Sequence, residues 1–327
     1  LVESGFKPKL VITHGGMGLG LFIKDMIPEC IHIGYFEWYF RPETTKHLFE
    51  KFDFDAKLKS EIRNLPILQE LEKCDLGVVP TDWQKSQFPK SYNDKLYVIF
   101  DGIDNNFFFP CTSPKELESN DQIIRNRDTG EKFILGKGNK ILSYATRGME
   151  PLRGFPQFMR ALPNILEEEV NLQVIIAGAD RRAYSYDAPS HDGSWKNHML
   201  SEMGNFKGRD RITFTGLLNY FDYRLLLWRS NLHCYFTKPY VTSWSLFESA
   251  TCGAKIMLNK NKATKDIVDE ETVTWTELDN QNQLATSVKK ELNSMNPKKC
   301  RILPGFELSV SMEKWEKLLN KAIQIHS

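Results

Sequence analysis

The chain has 327 residues, 41% of them hydrophobic and 26% charged, with 43 Lys and Arg set against 42 Asp and Glu. That length favours two domains, each with an ordinary core. A near-zero net charge without basic runs leaves no electrostatic footprint for nucleic acid, which is excluded as a partner on this count.

Taken in chain order, short β-rich runs alternate with helical patterns. The chain opens on Leu1 and reaches its first strand, Lys9–Thr13, almost at once, which reads as the start of a fragment. IHIGYF (31–36), LGVVP (76–80) and LYVIF (96–100) follow. Between them lies a helical stretch at 58–73 in which Pro66 should introduce a kink. This is the rhythm of parallel βαβ units. After DGIDNNFFFP the composition turns polar over roughly 111–138, and the domain boundary is placed near residue 104. Alternation then resumes: strands at 140–146, 172–178, 211–216, 232–236 and 254–259, and helices at 155–168, 219–229 and 245–252. Val310–Ile325 carries Met312, Trp315, Leu318, Leu319 and Ile323 at helical spacing, so it has one face to bury.

Six cysteines, at 30, 74, 111, 234, 252 and 300, form no CxxC pair and read as reduced and structural. No stretch reaches the length of a membrane span, and no leader-like segment precedes the first strand; the expected location is the cytoplasm.

Four stretches carry candidate chemistry. THGGMGLGLF (13–22) follows a strand, and Glu37 lies near the spacing of a ribose-binding acid, so a dinucleotide site is one reading and a plain glycine-rich turn the other. Asp53 and Asp55 imitate a paired-carboxylate metal site but sit among lysines, and His191-Asp192 lies in a turn-rich loop; no metal is expected at either. YATRGMEPLRGF (144–155) places Arg147 and Arg153 where a strand ends. Paired N–H donors there suit a diphosphate, unless Arg147 pairs with Glu150 or Arg153 is merely exposed. PYVTSWSLFESATCGA (239–254) puts Glu248 three residues after Ser245, the spacing of a capping box. The same helix start, preceded by Thr242 and Ser243, could instead present N–H groups to an anion, with Glu248 accepting from a ribose.

TRGMEPLRGFPQFMRALP, VIIAGAD, ITFTGLLNY and SLFESATCGA, in that order, resemble the donor-binding half of family 4 glycosyltransferases, and DKLYVIFDGIDNNFFFP resembles the segment joining that family's two domains. The resemblance implies an α/β protein of the GT-B fold: two Rossmann-like, doubly wound domains with parallel sheets facing a cleft, the first incomplete at its start. On this reading residues 1–104 form a partial acceptor-side domain, 105–305 the nucleotide-sugar domain, and 306–327 a terminal helix crossing back. It further implies retaining transfer of a sugar, of hexosyl type in the family's usual pattern, from a UDP-, GDP- or ADP-sugar to a glycan, lipid-linked or small-molecule acceptor, with no obligatory metal or cofactor. Peripheral membrane association is left open by a lipid-linked acceptor.

By motif position Arg147 and Arg153 would neutralise the leaving diphosphate, Arg153 standing where lysine is commoner. Glu248 would bind ribose, Thr242, Ser243, Trp244 and Ser245 would line the phosphates or sugar, and Gly216-Leu217 would meet the base. Tyr240 stands where the family has a glutamate, so the contact to the donor sugar is altered. In the first domain Glu37, or else His14, takes the place of an active-site histidine, although Glu37 could instead pair with Arg41. A nucleotide- or sugar-binding protein without turnover, and a nicotinamide-dependent oxidoreductase, are the rival readings.

Overall fold

The structure, a computed structural model, describes residues 4–295 and 298–325; Leu1 and residues 326–327 lie outside them. Two compact units divide the chain, one made of residues 1–104 with 304–327 and the other of 105–303.

The first unit runs β1 (Leu10–His14), α1 (Ile23–Met26), β2 (Ile31–Tyr35), α2 (Pro42–Thr45), α3 (Phe54–Lys73), β3 (Leu76–Val79), α4 (Asp82–Lys85) and β4 (Leu96–Val98). Its four strands lie in sequence order and are parallel throughout. Successive side chains point to opposite faces of a strand. Accordingly Ile31, Ile33, Leu76 and Val78 pack on one side, while Val79 and Leu96 pack on the other against Ile67 and Leu71 of α3. Both faces are covered, as a parallel sheet requires. Asp53 caps α3 by accepting from the Ala56 N–H at 3.0 Å, so the Asp53–Asp55 pair is a helix start. α3 runs unbroken through Pro66. The proline removes only the bond to the Ile62 carbonyl, and Ile62 is exposed, so solvent can take that acceptor.

The second unit runs α5 (Pro114–Ser119), β5 (Gln122–Arg125), β6 (Lys132–Leu135), β7 (Lys140–Gly148), α6 (Phe155–Glu168), β8 (Leu172–Ala179), α7 (Trp195–Met203), β9 (Ile212–Gly216), α8 (Tyr220–Arg229), β10 (Leu232–Tyr235), α9 (Trp244–Thr251), β11 (Ile256–Asn259), α10 (Lys262–Lys265), β12 (Thr274–Thr276) and α11 (Gln281–Leu292). Six strands make a parallel sheet in the order β12-β11-β10-β7-β8-β9. The chain starts at β7, builds outward to β9, then returns to β7's other side to lay down β10, β11 and β12. The order therefore reverses between β7 and β10.

One face of this sheet is covered by α6 and α11, through Phe158, Leu162, Leu284 and Val288 among others. The opposite face receives α8 and a hairpin, with Ile124, Leu135 and Leu226 buried on Ile141 and Ile175. That hairpin, β5–β6, occupies the interval expected to be only a polar connection. Its sequence alternates so sparsely that just Ile124 and Leu135 are fully buried, while Ile123 and Ile134 face solvent. α12 (Leu308–Ile325) returns to the first unit, where Leu318 and Ala322 pack on Ile33 and Val78.

Candidate functional site

In open parallel sheets, ligands sit outside the carboxyl ends of the strands where the strand order reverses. Here that point is between β7 and β10. β7 ends in a register shift between Ala145 and Gly148, a bulge that carries Arg147. A tight turn follows, with Gly154 at φ +69°; a Cβ there would approach the Phe236 Cβ to 2.8 Å, so glycine is required. The turn brings Arg153 inward. Its side chain is only 7% exposed, and Nη1 donates to Thr237 Oγ1 at 2.8 Å and to the Val241 carbonyl at 3.1 Å. Arg153 is thus buried and tied to the segment after β10. Arg147 is exposed and donates to the Tyr184 hydroxyl at 3.3 Å, and not to Glu150.

Glu150 has a different partner set. It is fully buried, and its Oε2 accepts from the N–H groups of Ala183, Tyr184 and Ser185 at 2.8–2.9 Å, and from Ser185 Oγ at 3.2 Å. One carboxylate oxygen therefore fixes the loop after β8. Tyr184, on that loop, lies beneath the Arg153 guanidinium at 5.5 Å and 5.6 Å from the ring of Tyr240. Arg147, Arg153 and Tyr240 are joined through Tyr184, a residue that no motif or spacing in the sequence points to.

After β10 the chain enters α9. Its N-cap is Ser243, not Ser245: Ser243 Oγ accepts from the Ser245 N–H at 3.4 Å, so the capping-box register does not form. The start of this helix is also less open to an anion than its sequence suggests. The Ser243 N–H already donates to the Tyr235 hydroxyl at 2.9 Å, and Thr242 Oγ1 donates to the Ala263 carbonyl at 2.8 Å. Trp244 is half exposed beside them.

Glu248, 5% exposed one turn further on, has no hydrogen-bond or ion-pair partner among the described residues. Burial alone pushes its carboxyl up to about 7. The same carboxylate helps raise the phenols of Tyr220 and Tyr223 on α8, after the larger effect of their own burial. Gly216, at the end of β9, takes φ +67°, and Leu217 accepts from the Arg127 N–H at 2.7 Å. That segment leads through Asn219, which caps α8, to the tyrosines beside Glu248.

In the first unit His14 and Glu37, both half exposed, lie 3.7 Å apart. Glu37 does not meet Arg41, which donates instead to the carbonyls of Gln87 and Phe88. Below His14, Thr13 Oγ1 contacts Glu70 Oε1 at 2.5 Å and His32 Nε2 at 2.7 Å, the latter two residues fully buried. Burial lowers the His32 pKa. The glycine turn rests on this network: a Cβ on Gly20 would sit 2.0 Å from Glu70 Oε1. α1, which follows the turn, is a single turn with no side-chain cap, so the dinucleotide reading loses the helix start that would hold a pyrophosphate. His191 and Asp192 occupy a left-handed turn, with His191 Nδ1 near Ser190 Oγ at 2.7 Å. Among the described residues no cluster of His, Cys, Asp or Glu could hold a metal ion.

Residues 1–108 match the model of the Glycosyl transferase family 4 group. That match spans about a third of the chain, which resembles this family over the first unit. Its fold is GT-B. Among solved structures it is similar to sucrose-phosphate synthase from Thermosynechococcus elongatus, with TM-score 0.61 and 14% identity over 99% of this chain and 73% of that one. It is also similar to the pneumococcal O-GlcNAc transferase GtfA in complex with UDP and GlcNAc, with TM-score 0.63 and 13% identity over 98% and 58%. A third is a point mutant of S. aureus TarM in complex with Fondaparinux, alpha-GlcNAc-glycerol and UDP, with TM-score 0.57 and 14% identity over 98% and 54%. This GT-B chain therefore spans just over half the length of the last two. No curated protein sequence matches it. No helix among its described residues is long and apolar enough to cross a membrane.

Proposed function

We propose that this chain binds a nucleotide-sugar at the carboxyl end of its second sheet and transfers the sugar, with retention, to a glycan or lipid-linked acceptor. The observation that carries the reading is topological: Arg147 and Arg153 leave β7, Tyr240 and α9 leave β10, and these are the strands between which the order reverses. Arg153 keeps Nε and Nη2 without a partner among the described residues, while Nη1 anchors it, so it offers donors already aimed. Departure of a nucleoside diphosphate develops negative charge, and two preorganised guanidiniums stabilise it without a metal. Glu248 is the ribose acceptor: a buried carboxylate with no donor among the described residues gains two hydroxyls when a nucleotide arrives. The backbone from Thr242 to Ser245 borders the phosphates or sugar, with Trp244 exposed beside it, and the Gly216-Leu217 backbone borders the base. In the first unit His14 and Glu37, 3.7 Å apart, are the candidate catalytic pair. UDP appears with two of the similar structures, which favours a uridine donor among the UDP-, GDP- and ADP-sugars. Six free cysteines, five of them buried, suit a reducing compartment such as the cytoplasm.

Tyr240, in the place of a glutamate, supports a second reading, binding without turnover. Calorimetric titration with UDP, GDP, ADP and their hexose conjugates, followed by an assay of nucleoside diphosphate release, separates the two. Binding with release is expected. Binding without release selects the second reading, and absence of binding to every nucleotide overturns both.

A further inference from the structure

We propose that Tyr184 is a donor-contacting, specificity-determining residue, and that Glu150 is the positioning residue that holds it there. The proposal rests on the nucleotide-sugar reading of this site.

Three observations converge on Tyr184. Its hydroxyl accepts from Arg147, its ring lies under Arg153, and that ring is 5.6 Å from the ring of Tyr240, tilted by 55°. It is 39% exposed, whereas Arg153 and Tyr240 are nearly buried, so Tyr184 and the exposed Arg147 form the accessible surface of this group. A ligand engaging both guanidiniums meets Tyr184 between them. The two tyrosines form an aromatic wall next to the diphosphate position, where ring faces and a hydroxyl stand in place of a carboxylate. Such a wall suits the C–H face of a neutral pyranose lying against it.

Loops are ordinarily the mobile parts of a fold. This one is held by a fully buried carboxylate accepting from three consecutive backbone N–H groups, Ala183 to Ser185, with Tyr184 at the centre. Hydrogen bonds to an ionised acceptor are the stronger kind. Glu150 stands on the chain between Arg147 and Arg153, so the segment that supplies both cations also fixes the ring that orients them. A preorganised first contact with a supporting shell is the usual requirement of a precise site.

The test is calorimetric titration of the intact chain with UDP, UDP-glucose, GDP and GDP-mannose, each variant being checked by thermal melting. Tyr184→Ala is expected to bind the preferred nucleotide-sugar roughly tenfold more weakly, the scale of losing a cation–π contact and a hydrogen bond together. It should also lose most of the preference for sugar conjugate over bare diphosphate. Tyr184→Phe keeps the ring under Arg153 and should recover most of the affinity, lacking only the Arg147 bond. Glu150→Gln should weaken binding in the native background but add nothing to Tyr184→Ala, because it acts through that ring. If Tyr184→Ala binds nucleotide-sugar like the native chain while Arg153→Ala does not, the proposal is wrong and the functional reading stands. If Glu150→Gln costs the same factor in both backgrounds, Glu150 is structural only. If the native chain binds none of the four, the functional reading fails and takes this proposal with it.

Discussion

At the residue scale, Glu248 makes the sharpest claim. A carboxylic acid whose folded-state pKa is raised to about 7 keeps its proton between the ordinary carboxyl range and neutrality, while the unfolded chain releases it. Stability from this group is therefore full below about pH 4.5 and is lost as pH rises through about 7, by up to about 3 kcal/mol. Glu248→Gln should flatten that loss and melt higher than the native chain at pH 8, with little difference at pH 4.5; chemical denaturation across this range checks it. The same variant should bind nucleoside diphosphate more weakly by about 1–3 kcal/mol, the cost of losing a charged acceptor. Gain in stability together with loss in affinity is the pattern of a group kept for a ligand. For Arg153→Ala a comparable loss of affinity is expected, about 1–3 kcal/mol by titration, accompanied by a lower melting temperature because Thr237 and the Val241 carbonyl lose their donor.

At the scale of elements, the cap of α9 separates two registers. Ser243→Ala should cost about 1 kcal/mol in thermal or denaturant unfolding, and Ser245→Ala markedly less, because only Ser243 is the N-cap. The serine spacing was readable but the register was not: S-x-x-E matches at 245 and 248, while the extended backbone that defines a cap belongs to Ser243. Buried parallel strands were the most legible elements, since LVIT, LGVV and LQVIIAG are near-continuous apolar runs. The β5–β6 hairpin was hidden because its outward positions outnumber its two core positions. Of the candidate site, the arginines were legible from their place at a strand end, whereas Tyr184 was not. Its placement depends on a loop whose conformation is set by Glu150, 34 residues away in sequence, and no local pattern encodes that.

At the scale of the whole molecule, each unit is stabilised by elements distant in sequence. Leu318 on α12 is buried on Ile33 and Val78, so Leu318→Ala should destabilise the first unit by about 2–5 kcal/mol. Hydrogen exchange would show earlier loss of protection in β2 and β3 with β7 and β8 unaffected. β1 is an edge strand of its sheet, and Ile12 on it is 49% exposed. Ile12→Lys should therefore leave the melting temperature of this chain unchanged in thermal denaturation, because that side chain is half exposed.

The reversal of strand order has a consequence for biosynthesis. β7 pairs with β10 across about 90 residues, and the segment between them builds the opposite half of the sheet first. A nascent polypeptide that has emerged only as far as β9 can already assemble three strands, with both arginines in place but no β10 to receive them. If the proposed site binds nucleotide, its affinity should thus switch on late in translation, after the ribosome has released the residues of α9, and ligand cannot assist the earlier stages of folding.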